Sequence, residues 1–91
     1  MIGKSFMELA VDSEELRTIV AESLELEPEE VGDGDHFAED LGMDSLMVLE
    51  ISSRLEQRYS ISVKDASIGS VENLAELRGL VESLLAEESA A

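Results

Sequence analysis

The apolar residues of this chain recur every three to four positions in three stretches, which is the spacing of one face of a helix. The first stretch contains four of them: Leu16, Ile19, Val20 and Leu24. It predicts a helix from Ser13 to Leu24. Asp12 is placed to cap this helix and Glu15 to return a bond to the cap, while Val11 and Leu16 have the spacing of a hydrophobic staple.

The second stretch predicts a helix from Leu46 to Tyr59 with two distinct faces. At about 100° per residue, one stripe collects the residues of the core. These are Val48, Ile51, Leu55 and Tyr59, with Met47 at the edge. Leu46 and Leu49 project to nearly the opposite side, and Glu50 and Ser53 lie there too. Scattered exposed leucines are common, but two leucines one turn apart and rimmed by acids indicate a small protein-docking patch.

The third stretch predicts the last helix, with Ser70 as its cap and Asn73 at the third position. Its apolar face consists of Val71, Leu74, Leu77, Leu80 or Val81, and Leu84. Before it, Ile61-Ser62-Val63 is interpreted as an extended segment that buries its two apolar side chains, and residues 64–68 as a brief helical turn. The polar tail, 87–91, is expected to fray.

A long connection joins the first two helices. Pro28 ends the first helical pattern, and Val31 and Phe37 are the apolar anchors of the connection. Loops of this length are uncommon unless they are functional. The patterns together predict one all-α domain over residues 1–91 with its core in 12–86. Residues 1–10 either extend the first helix or remain loose.

The charge of the chain limits its partners. It has 22 acidic residues against 6 basic ones, a formal net charge of −16. Such a surface repels phosphate backbones and anionic headgroups, so nucleic acid and membranes are poor partners, whereas basic patches on other proteins attract it. Solubility alone is the alternative reason for the charge. The chain has no cysteine, no apolar run long enough to cross a membrane and no secretory signal, and a cytoplasmic setting is expected.

Asp44-Ser45-Leu46 is the candidate functional motif, because it follows a glycine-containing loop and opens the second helix. The first turn of a helix has unpaired N–H groups and a dipole that favours negative charge. A phosphodiester on Ser45 would therefore lie in a favourable field. The alternative is that Asp44 and Ser45 only cap the helix.

Catalytic and metal-binding interpretations fail on the residues available. A serine nucleophile needs a base, and the one histidine, His36, stands in the loop with no orienting acid in a recognisable motif. Asp33-Gly34-Asp35 begins like a calcium loop, but Phe37 and Ala38 occupy the positions that require a ligand and a glycine. No catalytic residue and no metal ligand is predicted.

Residues 40–46, Asp-Leu-Gly-Met-Asp-Ser-Leu, followed by Leu49-Glu50 and Leu55-Glu56, resemble the signature of acyl carrier proteins. The resemblance covers residues 13–85 and includes Phe37 before the motif. It implies an acyl-carrier-like bundle of three main helices, with a long loop between the first two and a short extra helix before the last.

The resemblance also implies that Ser45 is an attachment point. In such proteins a phosphopantetheinyl transferase, using coenzyme A and Mg²⁺, joins 4′-phosphopantetheine to the corresponding serine, and the thiol of that arm carries acyl thioesters between enzymes. The residues expected to meet these enzymes are Asp44, Leu46, Leu49 and Glu50. The implied partners are the transferase, then ketosynthase, acyltransferase and other enzymes with basic docking patches. A monomer with no catalysis of its own is expected.

Two departures bear on the pathway. Met47 stands where fatty-acid carriers commonly place an acid, and Arg54 and Arg58 make the far end of the second helix less acidic. Residues 46–50 and 68–75 look more like polyketide synthase carriers, so polyketide synthesis is the favoured pathway. A fatty-acid carrier and a peptidyl carrier of a nonribosomal peptide synthetase are the alternatives within the family. Outside it, the alternative is an acidic helical interaction domain in which Ser45 is a plain cap.

Overall fold

The computed structural model describes residues 11–90, with side chains through residue 87, and this part of the chain contains four α-helices and no strand. The helices are α1, Ser13–Leu24; α2, Ser45–Tyr59; α3, Asp65–Ser70; and α4, Leu74–Ala90. A 3-10 turn, Pro28–Glu30, lies in the connection between α1 and α2. The prediction of an all-α bundle is confirmed, while the interpretation of residues 1–10 falls outside the described residues.

Helix α1 has the predicted bounds but not the predicted capping box. Asp12 caps it, because one carboxylate oxygen accepts a hydrogen bond from the backbone N–H of Glu14 at 2.9 Å. The prediction that Glu15 returns a bond to the cap is wrong. Its carboxylate instead accepts hydrogen bonds from Arg58 and, at 2.8 Å, from the hydroxyl of Tyr59. Two donors on α2 outcompete the local backbone N–H for this acid.

The core lies where α1, α2 and α4 converge, with α3 packed against α2. Its fully buried large side chains are Leu16, Val20, Val31, Phe37, Ile51, Leu55, Ile68, Leu77 and Val81. Both predicted anchors of the long connection, Val31 and Phe37, belong to this set. The connection therefore contributes two side chains to the core. Full burial of a side chain such as Phe37 stabilises the fold by about 1.5–3 kcal/mol.

The core-facing stripe of α2 is narrower than predicted. Ile51 and Leu55 are fully buried, whereas Val48 and Tyr59 are half-buried. Ser52 is buried beside them, although its hydroxyl has no hydrogen-bonding partner within the described structure. The periodicity of apolar residues therefore does not predict that Ser52 belongs to the core.

The segment before α4 confirms one prediction and corrects another. Ile61 and Val63 are buried in extended backbone, as expected. Ser70, predicted to cap the last helix, is instead the last residue of α3, and its hydroxyl donates to the carbonyl of Ala66 at 2.7 Å. Asn73 is placed to cap α4, because its side-chain oxygen accepts from the N–H of Glu76 at 3.0 Å. An amide side chain suits this position.

Helix α4 also continues to Ala90, through the tail for which the sequence predicts fraying.

Candidate functional site

Two backbone hydrogen bonds of Phe37 hold the loop that leads into α2. Its side chain is fully buried, and its N–H donates to the carbonyl of Glu72, between α3 and α4, at 2.8 Å. Its own carbonyl accepts from the N–H of Met43 at 2.9 Å. The residues just before α2 are therefore held against the α3–α4 junction.

His36 and Asp40 close a turn within this loop. The N–H of His36 donates to the Asp40 carboxylate at 2.7 Å, and the N–H of Asp40 donates to the His36 carbonyl at 2.7 Å. His36 Nδ1 accepts from the N–H of Glu39 at 3.1 Å. Nδ1 is thus engaged in the turn, and Nε2 lies 4.0 Å from Oε2 of Glu72. Gly42 follows with φ of 73°, a left-handed conformation that glycine adopts without strain.

Asp44, rather than Ser45, caps α2. Its backbone is extended, and its carboxylate accepts from the N–H of Met47 at 3.0 Å. Ser45 is the first helical residue and is exposed. The idea that Ser45 also caps the helix is wrong, because the neighbouring carboxylate already occupies that role. The hydroxyl of Ser45 is left at the positive end of the helix dipole.

Leu46 and Leu49 are the two large apolar residues that the described structure exposes, at 75% and 50% of their surface. Glu50, one residue further along the helix, is exposed as well. This confirms the predicted orientation of both leucines away from the core. We call Leu46, Leu49 and Glu50 the docking face; it begins directly beside Ser45.

Two arginines of α2 connect the helix to α1. Arg54 lies 3.0 Å from Glu50 on its own helix and 3.0 Å from Glu22 on α1. Arg58 pairs with Glu15 on α1. The spacing of Glu50 and Arg54 is readable in the sequence as a helical pair. The pairs to Glu22 and Glu15 depend on how the helices pack and were not predicted.

Among the described residues, Tyr59 and Arg17 have raised pKa values, and both make contacts between elements of the fold. Burial and the hydrogen bond to Glu15 raise the pKa of Tyr59 well above its usual range. The carboxylates of Glu14 and Asp33 raise the pKa of Arg17, whose guanidinium also donates to the carbonyl of Val31. Arg17 therefore ties the long connection to α1.

A family model described as the phosphopantetheine attachment site matches residues 14–82. The chain belongs to this family. It is an acyl carrier protein, and the cofactor of the family is covalently attached 4′-phosphopantetheine. Family members act as carriers that interact with the enzymes of a pathway.

Individual relatives of this carrier agree with that assignment. Polyketide-8 synthase acyl carrier protein 2 of Streptomyces avermitilis is 42% identical over 78 residues, which cover 86% of this chain and 90% of that protein. An acyl carrier protein of Wolinella succinogenes is 31% identical over 70 residues, 77% of this chain and 92% of that protein. The solution structure of 3,5-dioxohexyl acyl carrier protein from the actinorhodin polyketide synthase of Streptomyces coelicolor has a TM-score of 0.71 at 35% identity, covering 86% of this chain and 94% of that one.

The start of α2 in this carrier fits the cofactor. An exposed hydroxyl at a helix N-terminus can form a phosphodiester without disturbing the core, and the helix dipole favours the added negative charge.

Among residues 11–90, no helix is long and apolar enough to span a membrane.

Proposed function

We propose that Ser45 carries the 4′-phosphopantetheine arm. One observation supports this above all: Ser45 is the exposed first residue of α2, and Asp44 has taken over the cap. Esterification at Ser45 Oγ therefore breaks no bond that closes the helix. Ser45 Oγ loses its proton and forms a bond to the phosphorus of the arm, while the phosphoanhydride bond of coenzyme A breaks and adenosine 3′,5′-bisphosphate leaves. The transferred phosphate enters the field of the helix N-terminus.

The role of the chain's own residues is to hold and present this serine. Phe37 and Gly42 shape the loop, Asp44 starts the helix, and no catalysis by the carrier itself is needed. We assign His36 no role as a base, since its Nδ1 accepts a backbone hydrogen bond and its Nε2 lies 4.0 Å from Oε2 of Glu72. When attached, the arm supplies a thiol that forms acyl thioesters. That thiol is the only one on a chain that contains no cysteine.

The docking face, together with Asp44, forms the proposed contact surface for the modifying transferase and for the enzymes that follow it. Leu46 and Leu49 supply apolar contact, and Asp44 and Glu50 supply charge for basic patches on those enzymes. We expect the carrier to act as a monomer, because a carrier must meet several enzymes in turn through one small surface. Such contacts favour rapid, reversible association over tight binding.

Polyketide synthesis is the pathway that we propose. The polyketide synthase carriers named above are similar in sequence and in structure. Met47, in place of an acid after the Asp-Ser-Leu motif, agrees with this pathway. Under this proposal a ketosynthase and an acyltransferase are among the partners, and the arm carries polyketide intermediates.

The attachment site is tested by intact-protein mass spectrometry. The carrier is incubated with coenzyme A, Mg²⁺ and a broad-specificity phosphopantetheinyl transferase. We expect the mass of one phosphopantetheinyl group on the wild type and on Ser53→Ala, which removes another exposed serine of α2, and none on Ser45→Ala. A folded wild type that gains no mass, or a Ser45→Ala variant that still gains it, would contradict the proposal.

The pathway is tested by loading the modified carrier with a malonyl or acetyl group and supplying it to a polyketide ketosynthase and, separately, to a fatty-acid ketosynthase. We expect the polyketide enzyme to use it with the higher kcat/KM. A preference for the fatty-acid enzyme would reject the polyketide assignment and leave the carrier assignment intact.

A further inference from the structure

Arg54 brings a positive charge to the edge of the docking face. Its Nε and Nη2 both lie 3.0 Å from Oε2 of Glu50, and its Nη1 lies 3.0 Å from Oε1 of Glu22 on α1. One guanidinium therefore engages a carboxylate on each of the two helices.

These pairs lie in a groove between α1 and α2, which Ser23 and Glu25 at the end of α1 also line. Asp44, Leu46 and Met47 line the groove where α2 begins, and Glu22, Glu50 and Arg54 line it further along. A partner enzyme that reaches Ser45 over this side of α2 therefore meets two acids, Glu22 and Glu50, that already have a cationic partner.

The exposure of the three side chains argues against a mainly structural role. The side chain of Arg54 is 38% exposed, that of Glu22 57% and that of Glu50 49%. Exposed ion pairs of this kind stabilise a fold only weakly. Their effect on association is larger, because charges at an interface steer the encounter and determine which partners are accepted.

We propose that Arg54 is a specificity-determining residue of docking, which competes with the basic side chains of partner enzymes for Glu50 and Glu22. The inference rests on the proposed function of the docking face. An enzyme that places an arginine or lysine opposite Glu50 either displaces the guanidinium of Arg54 or brings a second positive charge beside it, and both weaken the attraction. An enzyme that binds mainly Leu46 and Leu49 does not need to do so. Arg54 thereby disfavours partners that select carriers by acidic charge along α2, and it favours partners that recognise the two leucines.

The test measures KM and kcat for the unmodified carrier as the substrate of a broad-specificity phosphopantetheinyl transferase with a basic carrier-binding surface. The variants are Arg54→Ala and Arg54→Gln, the second of which keeps much of the side-chain stem. The matched control is Arg78→Ala, which removes the same charge from an exposed i,i+4 pair with Glu82 on α4. Circular dichroism checks that each variant is folded.

At low salt we expect both Arg54 variants to lower KM by about 3- to 10-fold with kcat unchanged, because two carboxylates become available to the enzyme. Their KM should also rise more steeply with added NaCl than that of the wild type, whereas Arg78→Ala should follow the wild type. A merely structural role for Arg54 does not predict this salt dependence.

An equal KM for the Arg54 variants and Arg78→Ala, an increase in KM, or a change confined to kcat would each overturn the role of Arg54. These outcomes leave the attachment of the arm at Ser45 intact, provided that the wild type is modified. If the wild type itself gains no phosphopantetheine, the proposed function fails, and the inference about Arg54 fails with it.

Discussion

Truncation of Leu46 and Leu49 separates docking from folding, since the structure exposes both side chains. Full burial of a leucine contributes about 1.5–3 kcal/mol. Leu46 is 75% exposed, so Leu46→Ala should lower the free energy of unfolding by only about 0.4–0.8 kcal/mol. Leu49 is 50% exposed, and the same scaling gives about 0.8–1.5 kcal/mol for Leu49→Ala. The higher helix propensity of alanine offsets a few tenths of each loss.

The matched control is Leu55→Ala, on the same helix but with a fully buried side chain. Its truncation leaves a cavity as well as removing apolar burial, so the expected loss is about 2–5 kcal/mol. In a domain of this size each kcal/mol shifts the melting temperature by roughly 4–8 °C. Urea unfolding and thermal melting followed by circular dichroism should therefore distinguish the exposed leucines from the buried one.

The functional readout is the rate of modification by the transferase at carrier concentrations below KM. A side chain that contributes more than about 1 kcal/mol at a protein interface reduces kcat/KM by roughly fivefold or more when it is removed. We expect such a decrease for Leu46→Ala and Leu49→Ala. Destabilisation of either variant by more than about 2 kcal/mol would show that the leucines face the core. Unchanged kcat/KM for both variants would refute their role in docking.

Three further predictions concern stability. Added NaCl should raise the melting temperature, because the net charge of −16 makes self-repulsion outweigh the few ion pairs; a melting temperature that falls with salt would show that the pairs dominate. Ser52→Ala should leave the free energy of unfolding unchanged or raise it by up to about 1 kcal/mol, since it removes a buried hydroxyl without a partner among the described residues. A clear decrease in the free energy of unfolding, measured in urea, would show that the hydroxyl does form a hydrogen bond. The pKa of Tyr59 is raised in the folded state, so folding favours the protonated phenol. The contribution of Tyr59 to stability should be fully present below the ordinary pKa of 10.0 and be lost as the pH rises above it, so Tyr59→Phe should lose less stability over that range in parallel urea titrations. Equal declines would place the cause in other groups.

The parts of the fold that follow from local pattern were predictable from the sequence. Helix α1 has the predicted bounds, and α2 begins one residue before its predicted start. Leu46 and Leu49 face solvent because a helix of fixed pitch cannot place them on the same side as Ile51 and Leu55. For α1 and α2, the face that the apolar spacing predicts to be buried is the face that packs in the core.

The errors arise where tertiary contacts or neighbouring caps compete with a local signal. Ser70 is as good a cap by residue type as Asn73, and only the packing of α3 decides that the new helix starts at Leu74. Glu15 has the right spacing for a capping box, but Arg58 and Tyr59 of α2 reach it across the bundle. Ser45 and Asp44 are both acceptable caps, and the structure uses the carboxylate. The proposed attachment role of Ser45 rests on the family resemblance and not on periodicity.

The hydrogen bond from Phe37 to Glu72 links the loop before Ser45 to the α3–α4 junction. Phe37 is fully buried, and its N–H is bonded to a carbonyl that is distant in the sequence. Solvent can reach that amide only when the junction separates from the loop, so its hydrogen exchange reports an opening that involves both segments. An opening of the junction at Glu72 would therefore also free the loop that precedes Ser45.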